Sequence, residues 1–327
     1  MHQIQWGIIG CGNVTERKSG PAFGKVSGSS VVAVMRRDLV KAEDYALRHH
    51  IPNWYTNAAE IINHPDINAV YIATPPSTHA EYAIRVMESG KAAYVEKPMA
   101  ASYSECISMA EVAAKTKQPL YVAYYRRFLP YFGKVKEIID SGRLGELLYA
   151  SIDFHISPRA EDFRADTLPW RVDPGIAGAG YFYDLACHQL DLFDWFFGNV
   201  IVVNGSTYNR RGLYKAEDLV FARLQYASGL PVNANWCFVA RNSEHKDVIR
   251  IFGTMGTLEF STFDFTPVKL SIGDQTEEFM PDNPENIQYW FIKNMVEELQ
   301  GPVRPGGNYE RALQANRVMD IILGKSA

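Results

Sequence analysis

Three groups of residues in this 327-residue chain have the types and spacing to do chemistry. Gly10-Cys11-Gly12 closes a short apolar run at the N-terminus. Glu96-Lys97-Pro98 closes another, which ends in Tyr94-Val95. Asp184 and His188 stand four residues apart in an aromatic stretch. A glycine turn after a strand lets backbone approach a pyrophosphate. The helix beyond it, opened by Asn13 and Val14, would favour the phosphate charge. A lysine at the carboxyl end of a strand can stabilise a developing alkoxide. A histidine exchanges protons near neutrality. An aspartate one helical turn earlier can hold the imidazole in one tautomer or bind a substrate hydroxyl. The first group points to a dinucleotide, and the other two point to proton and oxyanion chemistry beside it.

The residues around the glycine turn sharpen this reading. Thr15 stands where the dinucleotide fingerprint usually has Gly or Ala, and Ser19-Gly20-Pro21 cuts into the following helix. At the tip of the second apolar run, Arg36 and Arg37 replace the usual acid, and Asp38 is the first carboxylate. Two guanidinium groups suit a 2′-phosphate, so NADP(H) is favoured over NAD(H). The alternative is two solvated arginines, with Asp38 capping the next helix. Thr74 and Pro75 follow the third run, His79 begins the next helix, and Glu96 precedes Lys97; all five join the expected cofactor-binding set. So do Arg126, after the fifth run, and Trp170-Arg171, in a glycine-containing loop before Asp184. Lys18 either reaches phosphate or is solvated. The Lys97-Pro98 bond can be cis. Cys187, beside His188, reads as packing. No further ligands converge by spacing, so no metal is expected.

The elements that must position these residues fall into two textures. Up to residue 123, apolar runs over 4–9, 31–35, 69–73, 92–95 and 120–123 alternate with helical patterns over 39–49, 79–89 and 103–116. This predicts βαβ units and a parallel sheet. Beyond it, longer strands are expected over 147–156, 200–208, 219–226, 232–239, 248–252 and 257–260, joined by turn-like connections. A helix over about 181–197 carries Asp184 and His188, and helices over about 285–300 and 309–323 close the chain. The expected fold is an α/β Rossmann domain over 1–123, followed by an α+β domain over 124–327 with a large, mostly antiparallel sheet. One face of that sheet is either open or paired with a partner subunit.

Composition excludes several classes. Hydrophobic residues make up 47% and charged residues 21%, an ordinary globular balance. A net charge of −4 argues against nucleic-acid binding. No apolar stretch is long enough to cross a bilayer, so no membrane partner is expected. Residues 4–9 read as a strand and not as a secretion signal. Four scattered cysteines fit a reducing, cytoplasmic location.

The chain resembles the glucose–fructose oxidoreductase family, also called Gfo/Idh/MocA, over nearly its whole length. The resemblance rests on Gly7-Ile8-Ile9-Gly10-Cys11-Gly12, Ala73-Thr74-Pro75-Pro76, Glu96-Lys97-Pro98 and Asp184-Leu185-Ala186-Cys187-His188. It implies NAD(P)-dependent hydride transfer at a secondary alcohol or carbonyl of a sugar-like or cyclic polyol. It places Lys97, Asp184 and His188 in the catalytic site, with lysine and histidine able to exchange the role of base. It also implies a homodimer or homotetramer formed through the open sheet face. Ala186 stands where many members have glycine, and Tyr125 where many have a smaller polar residue, so a particular substrate does not carry over. Two other readings remain: a reductase or dehydrogenase of an aromatic dihydrodiol or dicarbonyl, and a nicotinamide-dinucleotide sensor without turnover. Retention of the three polar groups argues against the sensor.

Overall fold

The computed structural model describes residues 3–325 except 304. The chain forms two compact units: residues up to Tyr125 together with Pro284–Leu313, and Arg126–Asn283 together with Gln314 onward.

In the first unit the strands are β1 (Ile4–Ile9), β2 (Ser29–Met35), β3 (Asn53–Tyr55), β4 (Ala69–Ile72), β5 (Ala92–Val95) and β6 (Leu120–Val122). They form one parallel sheet in the order β3-β2-β1-β4-β5-β6. That order reverses between β1 and β4, the place where open α/β sheets bind ligands at their carboxyl ends. The helices are α1 (Asn13–Arg17), α2 (Gly20–Lys25), α3 (Leu39–Arg48), α4 (Ala58–Ile62), α5 (His79–Glu88) and α6 (Tyr103–Thr116). The expected break after the glycine turn is real: α1 ends at Arg17 and α2 starts at Gly20, with Pro21 in its first turn. The strands β4 and β5 are buried along their whole length, as a sheet covered on both faces requires. An aromatic cluster fills one side. Trp6 meets Phe23 at 4.8 Å, Phe23 meets Tyr71 at 5.4 Å, and Tyr71 stacks on Tyr94 at 4.7 Å. Such ring pairs add about 0.5–1.5 kcal/mol each beyond burial.

The second unit opens with α7 (Pro130–Asp140) and β7 (Leu147–His155). After α8 (Pro174–Ala177), a π-helical turn over Phe182–Ala186 runs into α9 (Cys187–Phe197). The remaining strands are β8 (Val200–Tyr208), β9 (Leu219–Tyr226), β10 (Pro231–Cys237), β11 (Lys246–Gly253), β12 (Gly256–Phe260), β13 (Val268–Ile272) and β14 (Gln275–Phe279). The sheet order is β14-β13-β12-β11-β7-β10-β9-β8. Every pairing is antiparallel except β7 with β10. Residues Val220, Ala222, Leu224 and Tyr226 of β9 are buried, while Phe221, Arg223 and Gln225 between them are exposed. That alternation is the mark of a sheet with one packed face and one open face.

The chain then returns to the first unit. The helix α10 (Tyr289–Gln300) packs there, with Phe291 5.6 Å from Tyr94. Asn308 receives Val122 N–H and donates to Val122 O. Sequence order placed this segment with the second domain; its hydrogen bonds tie it to β5 and β6. The final helix, α11 (Tyr309–Ile322), passes from one unit's residues to the other's. Among the described residues no helix is long and apolar enough to cross a membrane.

Candidate active site

In the first unit, the site starts at the end of β1. Gly10 has φ +94°, and a Cβ there would lie 2.9 Å from the Ala73 main chain, so no other residue fits. Gly12 is different. Its φ of −140° suits any residue, and a Cβ would meet nothing nearer than 3.9 Å. The space in front of Gly12 is open, as close approach of a pyrophosphate requires. Thr15 is fully buried, and its hydroxyl donates to Gly12 O at 2.8 Å, bracing the turn from behind. Asn13 is exposed and Val14 half-buried at the start of α1. Burial pushes the Cys11 thiol up to about 11, so this cysteine is an inert part of the turn.

Arg36 is half-buried and donates to Cys11 O at 3.1 Å, which fixes its guanidinium against the glycine turn; Arg37 is exposed. Asp38 caps α3. Its carboxylate accepts from Lys41 N at 3.2 Å and pairs with Lys41 Nζ at 3.0 Å, which holds its pKa below the ordinary value. The cap expected of Asp38 is therefore present, and Arg36 is held at the turn rather than fully solvated.

Thr74 and Pro75 are half-buried beyond β4. His79 is fully buried. Its Nε2 lies 2.8 Å from Thr74 O and its Nδ1 3.0 Å from Pro98 O, so the ring bridges the two loops after β4 and β5. Burial lowers its pKa. The Lys97-Pro98 bond is cis. Glu96 is buried, and both its oxygens are engaged: Oε1 accepts from Tyr71 at 2.6 Å and Gln288 at 2.7 Å, and Oε2 from Lys97 N at 3.2 Å. Lys97 itself is half-buried.

In the second unit, Asp184 sits in the π-helical turn and His188 in the first turn of α9. An ordinary helix was expected here. Single π turns inside helices accumulate at functional sites, and this one changes the direction of Asp184 relative to α9. The Asp184 side chain keeps 16% of its surface exposed, while His188 is buried with its ring 5.8 Å from Phe263. Arg171 Nε lies 3.4 Å from Asp184 Oδ2, and its guanidinium carbon lies 4.5 Å over the Trp170 ring. The Trp170-Arg171 pair thus stands directly beside Asp184.

Several neighbours lock α9 in place. Gln189 accepts from Trp236 Nε1 at 2.6 Å and donates to Thr262 Oγ1 at 3.2 Å. Arg127 binds both oxygens of Asp191, at 2.7 and 2.8 Å, and reaches Asp194 at 3.2 Å. Such bidentate pairs are strong and directional. Arg126, expected to contact the cofactor, is anchored by residues of its own unit. It is buried, donates to Thr262 O, and lies 4.6 Å from the Phe263 ring centroid and 5.5 Å from that of Phe265. The Phe263 loop is held by Asp247, which accepts from Thr262, Phe263 and Asp264 main-chain N–H groups. Gln189, Phe263, Asp247 and Gln288 carry no local sequence signal, because each acts through a distant partner. Among the described residues no group of three or more His, Cys, Asp or Glu converges on one point.

Comparison with known proteins shows the family. The family described as "Oxidoreductase family, NAD-binding Rossmann fold" matches residues 4–124, and the GFO/IDH/MocA C-terminal domain matches residues 132–259. "Oxidoreductase P35" of Formosa agariphila is 37% identical over 98% of this chain and 99% of its own length. Trans-1,2-dihydrobenzene-1,2-diol dehydrogenase of Mus musculus is 27% identical, over 85% of this chain and 80% of its own. A levoglucosan dehydrogenase in complex with NADH and levoglucosan superposes with a TM-score of 0.84, covering 99% of this chain and 97% of that one. At 22% identity that likeness speaks for the fold.

Proposed function

The chain belongs to the Gfo/Idh/MocA family of oxidoreductases and binds a nicotinamide dinucleotide, and from that premise we propose that it moves hydride at a secondary alcohol or carbonyl of a sugar-like or cyclic polyol. The observation that carries this reading is the placing of Lys97. It stands at the carboxyl end of β5 in the dinucleotide-binding unit, on a loop fixed by the buried Glu96 and by His79. When bound, the dinucleotide supplies C4 of its nicotinamide as hydride donor or acceptor. Lys97 stabilises charge on the substrate oxygen. His188 takes or returns the hydroxyl proton. Asp184, beside Arg171, holds the substrate hydroxyls and orients the imidazole.

The cofactor preferred is NADP(H). Arg36 is already fixed at the turn, Arg37 stands exposed beside it, and Asp38 is engaged with Lys41. Asp38, the carboxylate next to that tip, is paired with Lys41, which weakens its repulsion of a 2′-phosphate. Fluorescence titration of the purified protein tests this. NADPH should bind more tightly than NADH, and Arg37→Ala should narrow the difference. Tighter NADH binding overturns the preference and leaves the family assignment intact.

An aromatic dihydrodiol or dicarbonyl is the second substrate reading, favoured by Trp170 beside Asp184 and Phe263 beside His188. A parallel screen of aromatic and sugar alcohols separates the two. The open face of the second sheet carries exposed Tyr149, Tyr208 and Phe221. A second copy of the chain covers that face in this reading. The compartment proposed is the cytoplasm, where the four free cysteines stay reduced.

A further inference from the structure

We propose that Gln288 is a positioning residue for Lys97, an inference that rests on the catalytic role of Lys97 proposed for the hydride transfer. Gln288 lies 192 positions from Glu96 in sequence, yet its Nε2 donates to Glu96 Oε1 at 2.7 Å. Its Oε1 accepts from Tyr94 Oη at 2.6 Å. Both Gln288 and Glu96 are buried. Burial pushes the Tyr71 and Tyr94 hydroxyls well above their ordinary pKa, and the Glu96 carboxylate adds to it. Both phenols therefore stay protonated and act as donors.

These contacts leave the amide one orientation. Turned the other way, its oxygen would face the Glu96 carboxylate, which has no hydrogen to give, and the Tyr94 hydroxyl would lose the oxygen it donates to. Glu96 and Tyr94 together set the amide, the amide and Tyr71 hold Glu96 Oε1, and Glu96 Oε2 receives Lys97 N–H. The chain of bonds ends on the main chain of Lys97.

The other side of Gln288 is also anchored. Its main-chain N–H donates to Lys18 O at 3.2 Å, and Asn286 Nδ2 donates to Arg17 O at 2.7 Å. The segment therefore spans from the end of α1, just beyond the glycine turn, to the loop that bears Lys97. It is a strut between the two functional loops of one unit. Buried hydrogen-bonded polar residues specify geometry in this way, and losing one member leaves the others badly solvated.

The test reads Lys97 directly. Purified full-length protein is treated briefly with N-hydroxysuccinimidyl acetate, and acylation of each lysine is followed by peptide mass spectrometry. Gln288→Met keeps the bulk of the side chain and removes both hydrogen bonds. Lys97 should be acylated at least about threefold faster in this variant, because its loop opens more often. Lys115 on α6 should be unchanged. Equal Lys97 rates in wild type and a cooperatively melting Gln288→Met overturn the proposal. If Gln288→Met does not fold, Tyr94→Phe decides by the same two results, since it removes only the hydroxyl that sets the amide. Acylation does not require Lys97 to be catalytic. Unchanged turnover in Lys97→Met would instead sink the catalytic reading and leave the strut standing.

Discussion

Lys97, Asp184 and His188 have little in common as residues until their neighbours are counted. Lys97 stands between a buried carboxylate at Glu96 and a proline whose carbonyl lies 3.0 Å from His79. Asp184 stands against Arg171, and His188 against Phe263. Each group has surroundings that fix where it sits before substrate arrives, which is how positioned acid–base groups reach their usual hundredfold or greater effects. We predict that Lys97→Met and His188→Ala each lower turnover by about 10²–10⁴-fold while leaving dinucleotide affinity near wild type. Steady-state rates beside a fluorescence titration check both halves. Unchanged turnover in both variants contradicts the assignment. At this scale the sequence was readable at Gly10, whose positive φ and tight approach to Ala73 admit no side chain. At Arg126 nothing local in the sequence shows that Phe263 and Phe265 will close around the guanidinium.

At the scale of elements, the short helix α1 needs outside support, since five residues cannot sustain a helix alone. Glu16 provides it by bonding Arg48 at 2.8 and 3.0 Å and His49 at 2.9 Å at the end of α3. The Arg48 bond is the main reason the Glu16 pKa falls from 4.5 to about 2. A carboxylate depressed in the folded state contributes stability that is complete above its unfolded pKa and lost as pH falls through its folded one. Glu16→Gln should therefore melt below wild type at pH 7, by no more than about 1 kcal/mol for so exposed a pair. The gap should close between about pH 4.5 and pH 2. Melting curves across that range decide it, and a gap that persists at pH 2 shows that it does not arise from the ionised Glu16 carboxylate. Long periodic elements such as α3, α6 and β9 were legible in the sequence. The three-residue β3, the five-residue α4, the helix α7, the strand β13 and the edge strand β14 were not. Most of these are short or lie at a sheet edge, and β14 is mostly exposed. The π turn at Asp184 was also hidden, because one inserted residue in a stretch buried on nearly every side leaves no clear change of periodicity.

On the scale of the whole molecule, the main feature hidden in the sequence is the return of Pro284–Leu313 to the first unit. Its anchors are side chains whose partners lie far away in sequence, such as Glu298 on Tyr121 and Gln288 on Glu96. Periodicity cannot show such pairings. The open sheet face, in contrast, was legible from strand alternation, and its exposed Phe221 and Tyr208 pair at 6.3 Å. If a second copy covers that face, Phe221→Lys should shift the protein to monomer in sedimentation velocity without loss of fold. An unchanged oligomer would place the interface elsewhere. The central claim, however, is hydride transfer at a polyol carbon. Its most direct test is absorbance at the reduced-nicotinamide band during incubation with NADP⁺ or NAD⁺ and a panel of sugars and cyclic polyols, with Lys97→Met alongside. Hydride transfer by this site predicts cofactor reduction with at least one polyol and its loss in the variant. Tight dinucleotide binding with no reduction across the panel, or equal rates in Lys97→Met, would contradict it.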